Sequence, residues 1–238
     1  MYHESDGVTP PVAGEAERRG RNRTPSAQRI GAKGANTRRQ LIEATAKLVE
    51  ECGMHRVRVA DIAREAGVSQ ATFYVYFKDR EEAALAVLED LSQSTPRLLE
   101  AAHRSVSQDQ AREHARAMID AYCEYYQEHR NLFLARNLAA DSGDERFLSS
   151  RLHSISAIQN IFAERIVELQ SAGRIPSSLH ANSLAGSLIS LMERLGSTIS
   201  LPPNMLKKGV KPDSLSDAAA YVVAAVLNGY IDFKDDAS

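Results

Sequence analysis

The sequence predicts an all-α fold with about nine helices, and two observations lead to that prediction. Beyond Asn36, apolar residues recur at spacings of three and four almost to the end of the chain, which is the period of an amphipathic helix. Glycines, prolines and helix-capping residues divide this pattern into lengths typical of single helices, and no segment alternates as a half-buried strand would. With 238 residues, 43 % of them hydrophobic, the chain can form one or two compact units.

The first three helices are delimited by single residues at their ends. The first helix carries apolar residues on one face until Gly53 stops it. A short second helix runs from Val59 to Ala66, and Gly67 breaks it at a turn where a side chain would collide. Ser69 can cap a third short helix from Gln70 to about Tyr76.

The later helices follow from similar start and stop signals. Asp79 followed by Glu82 resembles a capping box that opens a long fourth helix, and the run from Ser94 to Pro96 predicts a kink in it. Five more helices are predicted from Ser107 to about His129, after Asn131, from near Asp144 to Ala172, from Ser178 to Ser200, and from Leu215 to Asp232.

The segment from Val59 to Phe77 contains the most informative surface. Ile62, Val68, Phe73 and Phe77 fall on inner positions of the two short helices. The outer positions of the third helix then hold Gln, Thr and two Tyr, which core packing explains poorly. Amide and hydroxyl groups on a short helix suit a DNA major groove, where they read base edges and bind phosphates.

The string from Ala66 to Phe77, Ala-Gly-Val-Ser-x-x-Thr-Phe-Tyr-x-Tyr-Phe, followed by Lys-Asp-Arg-Glu-Glu to Glu82, resembles the signature of the TetR family of bacterial regulators. The resemblance extends from Thr37 to about Leu91. It implies an N-terminal three-helix helix-turn-helix DNA-binding domain and a larger C-terminal helical domain for ligand binding and dimerisation. The expected DNA-contacting residues are Arg38, Arg58, Ser69, Gln70, Ala71, Thr72, Tyr74, Tyr76 and Lys78.

Two positions depart from the family's usual pattern. Ala71 stands where Gly or Pro is usual, and Arg58 stands where Ser or Thr caps the second helix. Loss of that hydroxyl removes a cap and a phosphate ligand, although the Arg58 guanidinium can itself reach a phosphate. The alternative to DNA contact by Arg56, Arg58 and Arg64 is that they are solvated surface charges. For the whole segment, the alternative is a helical hairpin that only packs against the rest of the chain.

The predicted domain boundaries are a flexible basic arm over residues 1–35, the DNA-binding domain over 36–82 and the helical domain over 83–238. Eight basic residues and no acidic one lie between Arg18 and Arg39. The arm either stays a solvated tail or binds phosphates or a minor groove. The net charge of -2 conceals this uneven distribution.

The resemblance also implies an effector pocket in the second domain. The candidate ligand-binding residues are Met118, Tyr122, Tyr125, Tyr126, Phe133, Asn137, Phe147, His153, Asn160 and Met192. For each aromatic residue, plain core packing is the alternative. A mixed lining of this kind suits an unidentified small molecule that is mostly apolar and carries a few polar groups.

The last two long helices are expected to pair with those of a second subunit in a four-helix bundle. The candidate interface residues are Gly186, Ser190, Leu191, Ala219, Val222, Val223 and Val226. Small residues at helical spacing could equally face the core of one chain. A homodimer is favoured because two helix-turn-helices double the contacts on a palindromic site.

The sequence argues against other classes of protein. It contains no metal-ligand motif, nucleophile elbow, phosphate loop or dinucleotide fingerprint, and its seven histidines are scattered, so neither an enzyme nor a cofactor is predicted. Cys52 and Cys123 are expected to be reduced thiols. The absence of a long apolar run and of a signal-peptide pattern predicts a cytoplasmic protein with no membrane contact.

These features predict a ligand-responsive repressor that binds a double-stranded palindromic operator as a dimer and is released by a small effector. Three alternatives stay open. They are an effector-independent architectural or cell-division factor of the same fold, an activator, and an all-α enzyme.

Overall fold

The computed structural model describes residues 31–92, 96–104, 110–201 and 210–229. Within these ranges the chain forms ten α-helices and no strand, which confirms the all-α fold class. In chain order the helices are α1 (Ala32–Cys52), α2 (Val59–Glu65), α3 (Gln70–Tyr76), α4 (Arg80–Ser92), α5 (Pro96–His103), α6 (Ala111–Glu128), α7 (Arg130–Asp141), α8 (Glu145–Ser171), α9 (Ala181–Ile199) and α10 (Pro212–Leu227).

The described part has one helix more than the sequence predicted, because the predicted long fourth helix is two helices, α4 and α5. Parts of four predictions lie outside the described residues. They are the basic arm as far as residue 30, the kink residues 94 and 95, the helix start at Ser107, and the end of the last helix beyond Gly229.

Helices α1 to α3 form the N-terminal unit, and α4 packs against α1. Its core contains Leu41, Val49, Ile62, Phe73 and Phe77, all buried. The three of these that lie in the helix-turn-helix were predicted at inner positions, and that prediction is confirmed. Helices α2 and α3 are only seven residues each, which is too short for a helix to be stable by itself in water. Packing against this shared core therefore holds them in place.

Gly67 forms the turn between α2 and α3 for a different reason from the one the sequence suggested. A Cβ built at Gly67 would meet no atom within 4 Å, so the turn is not crowded. The residue instead has a φ of +69°, in the left-handed region that residues with a Cβ rarely adopt. The glycine is therefore required by the backbone conformation and not by a collision.

The C-terminal unit is built around α6, which packs against α10 and α9, while α8 packs against α7 and α9. Its largest fully buried side chains include Ile119, Phe162 and Met192. Helices α6 and α9 approach closely at Gly196, where an added Cβ would lie 2.9 Å from Cγ and 3.0 Å from Cβ of Tyr126. The absence of a side chain at Gly196 thus sets the spacing of these two helices.

Direct contacts join the two units. The Glu50 carboxylate on α1 accepts hydrogen bonds from the backbone N–H groups of Asn131 and Leu132 at 3.1 Å each, so it caps the first turn of α7. Arg146 on α8 pairs with Asp79, just before α4, at 3.3 Å. These contacts link α7 to α1 and α8 to the start of α4.

Candidate nucleic-acid interface and ligand cavity

Helix α3 is held by a cap at its start and by an aromatic anchor on its inner face. The Ser69 Oγ accepts a hydrogen bond from the backbone N–H of Thr72 at 3.1 Å and lies 2.9 Å from the Thr72 Oγ1. Phe73 and Phe77 are buried with ring centroids 5.7 Å apart. The predicted cap is confirmed, and the hydroxyl of Ser69 is already engaged in stabilising the helix.

The opposite face of α3 is exposed and mostly polar. Gln70, Ala71 and Tyr74 are exposed, whereas Thr72 and Tyr76 are half-buried. The Gln70 amide and the Tyr74 phenol are hydrogen-bonding groups of the kind that contact base edges and phosphates. A rigid short helix with this outer face can enter a major groove.

Val75 is a member of this face that sequence reasoning missed. Its side chain is 76 % exposed. It follows Ala71 by four residues, so the two share one face of α3, and that spacing was the available signal. A branched apolar group at this position can contact the methyl group of thymine.

The three predicted basic contacts lie in or next to the helices of the N-terminal unit. The Arg38 guanidinium lies 5.3 Å from the centroid of the Phe77 ring, beside the end of α3. Arg58 is exposed just before α2, and Lys78 is exposed just after α3. Neither Arg58 nor Lys78 forms an ion pair with any residue that the structure describes, whereas Arg64 is paired with an aspartate of its own helix at 2.7 Å. Arg58 and Lys78 thus keep their charge available for phosphates.

A cavity of about 180 Å³ lies between α6, α7, α8 and α9, near the end of α4. Four of the ten predicted ligand-binding residues line it: Tyr122, Tyr125, Phe133 and His153. The other lining residues are Ser92, Leu99, Arg136, Ser154, Ile155, Ser156, Ala157, Ile158, Ile189 and Glu193. Apolar and aromatic groups form most of its wall, with a few charged and hydroxyl groups among them.

The remaining six predicted ligand residues lie elsewhere. Tyr126, Phe147 and Met192 are buried without lining this cavity, Asn160 is exposed, and Asn137 accepts a hydrogen bond from the Arg136 Nε at 3.0 Å. Met118 lines a second cavity of about 140 Å³ bounded by α5, α6, α8 and α10. In that second cavity, the Nε2 of the half-buried His114 has no hydrogen-bond partner among the described residues.

Three charged side chains, Arg136, Arg151 and Glu193, form a cluster beside the first cavity, which we call the buried ion cluster. Arg136 is 4 % and Glu193 6 % exposed, and Arg136 Nη2 lies 3.0 Å from Glu193 Oε1. The other carboxylate oxygen of Glu193 accepts a hydrogen bond from Arg151 at 2.7 Å. Burial lowers the pKa of the Arg136 guanidinium, and the opposite charge of Glu193 only partly offsets that effect.

The sequence contained a signal for this cluster that the predicted ligand set left out. Arg136 lies four residues after Leu132 and four before Ala140, at a core position of α7, and Glu193 directly follows the buried Met192 on α9. Opposite charges at two core positions rarely occur unless they pair. That pattern indicates a buried pair, although it does not show that the pair borders a cavity.

The cavity borders α4, the helix that packs against α1 of the N-terminal unit. The Tyr125 hydroxyl donates a hydrogen bond to the backbone oxygen of Leu91, near the end of α4, at 3.4 Å. Ser92, the last residue of α4, lies in the cavity wall. A molecule that fills the cavity would therefore press on α4 directly.

The predicted interface residues divide into two groups. Gly186 and Ser190 line an open groove between α8 and α9, Leu191 is half-buried, and Val222 is exposed. In contrast, Ala219, Val223 and Val226 are buried within the chain, because α10 packs against α6. The exposed face of α10 includes Ala218, Tyr221 and Val222.

The described residues offer neither a metal site nor a membrane-spanning helix. They contain no group of three or more histidine, cysteine or acidic side chains placed to hold a metal ion. None of the helices in the described ranges is long and apolar enough to cross a membrane.

Two family models match the chain. Residues 41–87 match bacterial regulatory proteins of the tetR family, and residues 99–229, more than half of the chain, match the tetracyclin repressor-like C-terminal domain. The HTH-type transcriptional regulator BetI of Escherichia coli O17:K52:H18 is 38 % identical over 84 residues, which cover 35 % of this chain and 43 % of that protein. The matched segment therefore spans less than half the length of this relative.

Solved structures resemble the chain over a larger part of its length. The regulator FadR from Bacillus subtilis in complex with stearoyl-CoA has a TM-score of 0.59 at 20 % identity and covers 79 % of this chain and 97 % of that one. A transcriptional regulator from Saccharomonospora viridis in complex with choline has a TM-score of 0.62 at 20 % identity, with coverages of 79 % and 96 %. At these identities the likeness establishes a shared fold.

Proposed function

Because the chain belongs to the TetR family of bacterial regulatory proteins, we propose that it is a ligand-responsive DNA-binding transcriptional regulator. It binds a palindromic operator as a homodimer, represses transcription there, and is released when a small effector fills the cavity. The observation that carries the proposal is the exposed polar face of α3 on a buried Phe73–Phe77 anchor. Chromosomal DNA as the target implies action in the cytoplasm.

In this proposal Gln70, Ala71 and Thr72 face the bases, and Tyr74 and Tyr76 contact the DNA backbone. Arg38, Arg58 and Lys78 add phosphate contacts around α3, while Ser69 acts mainly by fixing the start of the helix. Since Ala71 and Arg58 depart from the usual residues, the operator sequences of other family members do not carry over to this chain.

The homodimer would form through α8, α9 and α10. Leu148 and Leu152 are exposed on α8 next to the small residues Gly186 and Ser190 of α9, so two copies could pack leucines against a surface without large side chains. Leu191 and Val222 extend this face. Dimerisation places two α3 helices on successive major grooves, about 34 to 36 Å apart.

Release would follow from a change in that separation. An effector in the cavity displaces α4 through Ser92 and Tyr125, and it displaces α1 through α7 and the Glu50 cap. A coupling of about 1 to 3 kcal/mol between effector and operator is sufficient to change occupancy several-fold or more. Stearoyl-CoA and choline in the two similar structures differ greatly in size, so the fold accepts different effectors in different members.

The test begins with the DNA that the protein selects. Purified full-length chain is incubated with fragmented genomic DNA, the retained fragments are sequenced, and the affinity for the enriched site is measured by fluorescence anisotropy. A palindromic consensus bound by a dimer supports the proposal, and retention of no specific sequence contradicts it. Operator affinity that no bound small molecule changes would favour an effector-independent factor of the same fold.

A further inference from the structure

The size of the cavity beside α7 limits what it can hold. A cavity of about 180 Å³ is only slightly larger than the roughly 150 Å³ apolar cavity known to accept benzene. It is smaller than the roughly 300 to 1,000 Å³ typical of sites for drug-sized ligands. The occupant is therefore a compact molecule, with an apolar body of about one substituted ring against Ile155, Ile158 and Ile189.

Arg136 is the strongest donor in the cavity wall, and its hydrogen-bonding capacity is not exhausted. A guanidinium has five N–H groups. Three are engaged, by Asn137 at Nε, by Ser154 at Nη1 and by Glu193 at Nη2. One N–H on each terminal nitrogen has no partner among the described residues, so Arg136 can donate two further hydrogen bonds, and those to a carboxylate would be charge-assisted.

The charges around the cavity also favour an anion. The buried ion cluster contains two guanidinium groups against the single carboxylate of Glu193, and both oxygens of that carboxylate already accept hydrogen bonds from arginine. Among the described residues, the other partner of Arg151 is Asp141, at 3.3 Å, whose side chain is largely exposed and solvated. Within the cluster, two guanidinium groups therefore face one buried carboxylate.

A cationic ligand fits the same wall poorly, although three aromatic rings and a glutamate are present. The Arg136 guanidinium lies 4.8 Å from the centroid of the Phe133 ring and so occupies a face that a ligand cation would need. Glu193 already pairs with two arginines, so its negative charge is not available to attract a ligand cation. An ammonium group in the cavity would be repelled by Arg136.

Tyr122 supplies the second polar contact. Its side chain is nine-tenths buried in the cavity wall, and its hydroxyl has no hydrogen-bond partner among the described residues. Burial and the nearby Glu193 raise its pKa well above the usual value, so the hydroxyl stays protonated and can donate. A phenol beside a guanidinium provides donors for both oxygens of one carboxylate.

From these observations we infer that the cavity binds a compact organic carboxylate with a ring-sized apolar body, held by Arg136 and Tyr122. The inference rests on the proposed function, because it names the chemical class of the effector. It also explains how binding would act, since the carboxylate would contact α7 and α6 while the apolar body presses on the end of α4.

The experiment compares three probes of similar size with different charge: benzoate, its neutral isostere benzamide, and the cation benzamidinium. Binding to the full-length chain is measured by isothermal titration calorimetry, and competition identifies a shared site. Benzoate is expected to bind at least about tenfold more tightly than benzamide, because charge-assisted hydrogen bonds to Arg136 are lost in the amide. Benzamidinium is expected to bind most weakly.

Variants then assign the preference to Arg136. The double variant Arg136→Met/Glu193→Met removes both members of the buried pair and replaces them with apolar groups of similar length, while the partly exposed Arg151 keeps Asp141 as its partner. It should lose the preference for benzoate over benzamide while still binding benzamide. Tyr122→Phe should weaken benzoate alone. Arg194→Gln, which removes an exposed guanidinium from α9, is the matched control and should leave all three affinities unchanged.

The inference is overturned if the cation or the amide binds as tightly as benzoate, if no probe binds, or if the double variant keeps the preference. Failure of the proposed function would be seen separately. If the proposed function is wrong, benzoate binds through Arg136 but leaves the affinity of the protein for the operator unchanged. If only cationic or neutral ligands change that affinity, the proposed function stands and the inference about a carboxylate is overturned.

Discussion

The outer face of α3 and the cavity beside α7 place their polar groups in opposite environments. On α3, Gln70 and Tyr74 project into solvent from a helix whose stability comes from the phenylalanines behind it. At the cavity, Arg136 and Glu193 are buried and hold α7 to α9. The function of α3 can therefore be removed without cost to the fold, whereas the groups proposed to bind the effector also support the structure.

The largest effect is expected when Glu193 of the buried ion cluster is replaced and Arg136 is kept. Glu193→Leu leaves the Arg136 guanidinium buried without its carboxylate, and we expect a loss of about 3 to 5 kcal/mol in the free energy of unfolding. Urea denaturation followed by circular dichroism measures it. The double variant Arg136→Met/Glu193→Met should recover most of the loss. A single variant as stable as the parent would show that Glu193 does not compensate Arg136.

A second test concerns the packing that positions α9, and with it Glu193. Gly196→Ala places a Cβ within about 3 Å of Cβ and Cγ of Tyr126, and such overpacking costs about 1 to 3 kcal/mol. Gly186→Ala on the same helix is the matched control, since its Cβ would meet only Gln159 Nε2 at 3.5 Å. The control should be neutral or stabilising by up to about 1 kcal/mol because alanine favours helix. Equal thermal midpoints for the two variants would contradict the close approach of α6 and α9.

The third test addresses the other side of the comparison. Tyr74→Ala should weaken operator binding by about 1 to 3 kcal/mol and change the free energy of unfolding by less than about 0.5 kcal/mol, since the side chain is exposed. Fluorescence anisotropy and urea denaturation measure the two quantities. Thr72→Ala should act in the same direction. Dissociation of either variant into monomers, seen by analytical ultracentrifugation, would mean that these residues support the structure.

The smallest effect is expected at the contact that joins the two regions. Glu50→Gln keeps the size of the side chain but removes the charge that faces the first turn of α7, which should cost about 0.5 to 1 kcal/mol of stability. The effector should then shift operator affinity less than in the parent chain, at nearly unchanged effector affinity. The adjacent Glu51→Gln, on the exposed side of α1, is the control. An unchanged effector response would show that coupling does not pass through Glu50.

The two regions also differ in how far sequence could predict them. The cap at Ser69, the inner positions of Phe73 and Phe77 and the exposed position of Gln70 are local consequences of helical period and capping chemistry, so they were predicted correctly. The ligand residues were harder to place. Tyr122 and Tyr126 lie four residues apart on α6 and are both buried, yet only Tyr122 lines the cavity.

Periodicity, capping residues and one local signature were sufficient to determine the all-α class, most helix boundaries and the family to which the chain belongs. The tertiary structure decided the rest. It joined Arg136 to Glu193, 57 residues away, and it buried Val223 of α10 within the chain. The physical reason is that a repeat of 3.6 residues shows which face of a helix is apolar. It carries no information on which neighbouring helix, cavity or second subunit covers that face.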